Sequence, residues 1–142
     1  MGDFIAGVTV FCFAASYAVS LALELTRLWF RSHFRGFMLT GFTTAGLLAQ
    51  TLFLGYRAAN AETPLSSPFE WYLISAWLLA ASYLFLSLTY PSALVGVFML
   101  PIVLGMIGMA ELADRTPFAP EPAMQMWGLL HGACMMLGTV GA

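Results

Sequence analysis

His131 is the residue of this chain best suited to chemistry. It stands in the apolar stretch Trp127-Gly128-Leu129-Leu130-His131-Gly132-Ala133-Cys134-Met135-Met136-Leu137-Gly138. It lies about eight residues into an apolar span that begins near Ala123, hence about 12 Å along it if the span is helical. An imidazole among aliphatic side chains must find a hydrogen-bond partner or a ligand. It is a good axial ligand for haem iron, and a helix–helix hydrogen bond would satisfy it too. A second group is basic: Arg27, Arg31, His33 and Arg35 fall within one short polar stretch. They could receive an anion, such as a haem propionate or an anionic lipid head. Glu24 stands three residues before Arg27, the spacing of an ion pair on one helix face.

Other reactive residue types read as packing. Nine methionines are present, crowded at Met99, Met106 and Met109 and again at Met124, Met126, Met135 and Met136. Methionine is a flexible filler of irregular cores, although Met135 shares a helix face with His131. Cys12 and Cys134 both sit in apolar runs, which excludes a secreted disulfide scaffold. The sequence contains no phosphate-binding glycine loop, zinc motif or serine–histidine–acid set on plausible elements.

These side chains must be positioned by elements suited to an apolar solvent. Of the 142 residues, 61% are hydrophobic and 8% charged, against about 25% charged in an ordinary soluble domain. Twelve charges cannot cover a soluble surface of this size, so the composition predicts a bilayer. Five arginines without a lysine build no face for nucleic acid. The apolar runs predict an all-α transmembrane bundle of five spans, near residues 4–28, 36–56, 69–89, 93–110 and 123–142. Each is close to the roughly 20 residues that cross a membrane. In lipid such runs must satisfy their backbone internally, hence as helices. The Arg27–Arg35 cluster assigns that turn to the cytoplasm, with the N-terminus outside and the C-terminus inside. The acidic loops around Glu62–Glu70 and Glu111–Glu121 then lie outside. Trp29, Trp71, Tyr72, Tyr90 and Trp127 fall at the expected interfaces.

Residues 71–142 resemble the integral membrane cytochrome c assembly proteins, the haem-handling family that includes the HemX-like and CcsA-like proteins. The resemblance is carried by Glu70-Trp71-Tyr72-Leu73-Ile74-Ser75-Ala76-Trp77-Leu78-Leu79, by Leu100-Pro101, and most of all by the segment around Leu130-His131. It implies a multi-pass protein of the bacterial cytoplasmic membrane that handles haem in cytochrome c maturation. It implies His131 as the haem and metal ligand; Arg27, Arg31 and Arg35 join the expected cofactor-binding set only through the separate reading of the basic cluster as a propionate contact. Family members usually have six to eight or more spans, and the haem-export branch also carries a tryptophan-rich external loop flanked by further histidines. The expectation is therefore an N-terminal half, completed by a partner subunit or a missing C-terminal half, among membrane lipids and other assembly components. The alternative is a non-catalytic accessory subunit of a larger membrane complex.

Overall fold

The computed structural model describes residues 2–26, 33–60, 66–90, 95–117, 128, 130–135, 137 and 138, with backbone alone at 2–9 and 33. All regular structure among them is helical. Four helices are complete enough to bound: α1 (Gly2–Thr26), α2 (His33–Asn60), α3 (Pro68–Thr89) and α4 (Gly96–Leu112). Residues 130–135 and 137–138 belong to a further helical segment near the C-terminus. The expected spans near 36–56 and 93–110 shift a little. α2 begins before its apolar run and ends after it, because Arg57 in its last turn favours the negative helix end.

Helix α3 has the best-defined start. Ser67 is its N-cap, Pro68 occupies the first turn, and Ser67 Oγ accepts from Glu70 N at 3.4 Å. The Glu70 carboxylate folds back in turn and accepts from Ser66 N at 3.0 Å. Serine followed three residues later by glutamate is the sequence signature of such a start. α3 ends where Tyr90 N donates to Leu86 O at 2.7 Å. Pro101 lies inside α4, where it removes one backbone donor.

The helices form a ring in chain order, with α1 against α2, α2 against α3, α3 against α4, and α4 closing on α1. Phe13, Tyr17, Phe53, Phe69, Leu73, Tyr83, Leu100, Val103 and Ile107 fill the middle. Phe53 stacks between Phe13 (5.9 Å) and Phe69 (6.4 Å), joining the first three helices through tilted and edge-on aromatic contacts. Two helices, Phe34–Asn60 and Pro68–Thr89, are long and apolar enough to cross a membrane, while Val10–Thr26 and Gly96–Leu112 are shorter apolar helices.

Candidate functional site

Polar side chains are collected inside this ring. On α1, Tyr17, Ser20 and Glu24 share one face; on α2, Thr43, Gln50 and Arg57 recur every seven residues. Ser20, Glu24, Thr43 and Gln50 are all at most 1% exposed. Thr43 Oγ1 donates to Ser20 Oγ at 3.1 Å. Tyr17 OH donates to Gln50 Oε1 at 2.8 Å, and Gln50 Nε2 donates to the Leu73 carbonyl at 3.0 Å. Gln50 therefore fastens α1 and α3 to α2 at one level. Toward the α1 C-terminus, Tyr83 OH donates to Glu24 Oε1 at 2.8 Å. A Cβ on Gly96 would lie 2.6 Å from Glu24 Oε1 and 2.7 Å from Tyr83 Cε2, so only glycine lets α4 pass this pair.

At the opposite end of the bundle a second cluster surrounds Phe69. Arg57 and Arg115 both lie over its ring, 4.9 and 4.7 Å from the centroid. Arg57 donates from Nε and Nη2 to Glu70 Oε1, each at 3.4 Å. Arg115 Nη2 donates to Glu111 Oε2 at 2.9 Å. Phe69 N donates to the Asp114 carbonyl at 3.4 Å. The Thr116 backbone N–H donates to Asp114 Oδ1 at 2.9 Å and holds that carboxyl below its ordinary range. Glu70, expected in an outer loop, is instead buried in the first turn of α3 as the acceptor of Arg57.

Of the expected cofactor-binding residues, His131 and Arg35 are described, and they stand on different helical elements. His131 is exposed on the C-terminal helical segment. Arg35 is half-buried and donates from Nη1 to the Thr26 carbonyl at 3.2 Å, a cation on the negative end of α1. Arg27 and Arg31 lie outside the described residues, as does the expected Glu24–Arg27 pair. Cys12 and Cys134 are exposed free thiols. Among the described residues no group of three or more His, Cys, Asp or Glu could hold a metal ion. The C-terminal segment meets α3 at one tight point, where a Cβ on Gly132 would lie 2.9 Å from Trp71 Cζ3. Nothing among the described residues lies within 4 Å of a Cβ placed on Gly128 or Gly138.

No family model, curated protein or solved structure matches the chain.

Proposed function

We propose that the chain is a multi-pass membrane module that handles haem in cytochrome c maturation, completed by further membrane helices that dock beside His131. A bilayer explains the distribution of side chains. Phe11, Phe37, Leu52 and Phe98 are 73% to 77% exposed, whereas Glu24, Gln50 and Thr43 are enclosed. Large apolar groups outward and bonded polar groups inward suit hydrocarbon as the surrounding medium. On this reading of five spans with the arginine cluster inside, the Phe69 cluster lies at the outer face of the bacterial cytoplasmic membrane.

The single observation supporting haem is the outward presentation of His131. Its helix face carries Gly128 one turn before, Met135 one turn after and Gly138 two turns after. An exposed imidazole on a helix within a bilayer requires a partner, and iron is one it can take. Iron bound at His131 Nε2 or Nδ1 would supply ligand exchange or one-electron chemistry. The chain's own part is to present that imidazole. Among the described residues no second histidine faces His131, so the other axial ligand is assigned to the docking helices.

Haem titration of the chain in lipid nanodiscs tests this. We expect haem retained through gel filtration, and conversion to a six-coordinate low-spin spectrum when imidazole is added as the second ligand. The His131→Ala variant should retain none above empty nanodiscs. Equal retention by wild type and variant would refute the site. The accessory-subunit reading, which needs no cofactor, is favoured instead if neither protein retains haem while the chain co-purifies with other membrane subunits.

A further inference from the structure

A shallow trough of about 420 Å³ runs between α2 and α3. Its walls are Thr51, Leu54 and Ala58 on one side and Ile74 and Trp77 on the other. Gly55 opens its floor, since nothing lies within 4 Å of a Cβ placed there. Trp77 Nε1 is satisfied by Thr51 Oγ1 at 2.8 Å, so this indole offers an apolar wall. Glu70 lines the trough at the first turn of α3.

Glu70 is also where the trough meets charge. Its Oε1 accepts both contacts from Arg57. Arg57 shares the Phe69 ring with Arg115. A guanidinium has five N–H donors. Arg57 spends two of its nitrogens on long contacts to one oxygen, and Arg115 one on Glu111. Stacking over a ring consumes none of them. Both cations therefore retain donors for a tetrahedral oxyanion. The same cluster carries exposed carboxylates at Glu111 and Asp114. A purely anionic head would face those carboxylates as well as the arginines. A head bearing one phosphate and one ammonium matches both signs. Choline has no N–H to donate to a carboxylate, and ethanolamine has three.

We propose that this end of the bundle is a binding site for an ethanolamine phospholipid. Its phosphate rests on Arg57 and Arg115, its ammonium on Asp114, and one acyl chain lies in the trough between α2 and α3. The site rests on the membrane-spanning reading and is independent of haem.

Lipid retention measured by native mass spectrometry tests it, on protein purified in detergent and offered phosphatidylethanolamine, phosphatidylcholine, phosphatidylglycerol or inorganic phosphate. Phosphatidylethanolamine should be retained in preference to all three. Removing charge-assisted donors in Arg57→Gln/Arg115→Gln should weaken retention about tenfold or more. Asp114→Asn should abolish the preference for ethanolamine over choline while leaving retention of both. Gly55→Leu, which fills the trough floor, should lower retention with every head group. Helicity and monodispersity of each variant report folding, and Arg57→Lys with Arg115→Lys preserves charge if the double glutamine variant does not fold. Equal retention of choline and ethanolamine lipids, preference for phosphatidylglycerol, retention of inorganic phosphate alone, or indifference to all variants would overturn the proposal. The membrane reading itself is checked separately by thiol labelling of the loops.

Discussion

The hydroxyl of Tyr83 donates to the carboxylate of Glu24 at 2.8 Å, across the diagonal of the helix ring. α1 and α3 are not neighbours in that ring, so this bond ties together helices that packing alone holds only through α2 and α4. Both residues are 1% exposed. Tyr83→Phe removes a donor from a buried carboxylate, a change of about 1–3 kcal/mol. Glu24→Gln changes the same contact from the other side. The two effects should be non-additive in a double-mutant cycle read by thermal unfolding in detergent. Strict additivity would show that the pair contributes nothing as a pair. Gly96→Ala should destabilise by overpacking, about 1–3 kcal/mol, since its methyl group would press on both partners.

Gln50 is the second joint, and its test depends on sign. Gln50→Leu leaves the buried Tyr17 hydroxyl and the Leu73 carbonyl without the partners they have now. Each group left unbonded costs about 1–3 kcal/mol. Adding Tyr17→Phe removes one of the orphaned groups, so the double variant should be more stable than Gln50→Leu alone. A double variant less stable than the single would mean that the tyrosine hydroxyl has another partner of equal worth.

The helices were legible because the runs that form them are long, continuously apolar and bounded by polar or proline-containing breaks. The bond between Glu24 and Tyr83 was not legible, because Tyr83 is 59 positions away and nothing local points to it. A signal did exist in the polar residues of otherwise apolar helices. Thr43, Gln50 and Arg57 repeat every two turns, which marks one face of α2 as the inward one. The charge of Glu70 points to a loop, whereas the pattern around it points to a helix start. Ser67 and Glu70 together mark the start of a helix, and the carboxylate turns inward to Ser66 and Arg57. His131 was legible as a residue type and sequence environment, yet its outward direction depends on where the C-terminal segment meets α3.

The proposed orientation in a membrane predicts a labelling pattern. In a background with Cys12 and Cys134 changed to Ser, Asn60→Cys and Thr116→Cys should react with an impermeant thiol reagent added outside. Tyr90→Cys should not. All three positions are exposed, and Tyr90 lies at the other end of the bundle from the first two. Ser66, in the same outer region, is buried and makes a poor probe. Reversed labelling would invert the topology and place the Phe69 cluster inside.

Asp114 predicts a pH dependence with a definite sign. The Thr116 N–H donates to its carboxylate and depresses its folded-state pKa. The contribution of that bond is present above the unfolded value, about 3.9, and fades as pH falls through the lower folded value. Carboxyl-carbon NMR should find Asp114 titrating below an ordinary aspartate. Thr116→Pro, which removes the backbone donor, should move the titration upward. An unchanged midpoint would assign the shift to another group.

The last prediction concerns how His131 is aimed. Gly132 is its neighbour in sequence and lies against the six-membered ring of Trp71, with 2.9 Å from Trp71 Cζ3 to where a Cβ would be. A methyl group cannot fit there unless the ring or the helix moves. Successive helical residues differ by about 100° around the axis, so fixing Gly132 toward α3 also fixes the direction of His131. Gly132→Ala should therefore rotate or lift the C-terminal segment without touching the imidazole. Haem retention, if it depends on His131, should fall in this variant while the unfolding temperature of the four-helix ring changes little. Trp71→Leu in the same chain removes the opposing ring atoms and should restore retention in part. Rescue separates positioning from a general loss of fold, because Trp71→Leu alone removes apolar contact and can only weaken packing. If Gly132→Ala binds haem as wild type does, the contact with Trp71 does not set the direction of His131.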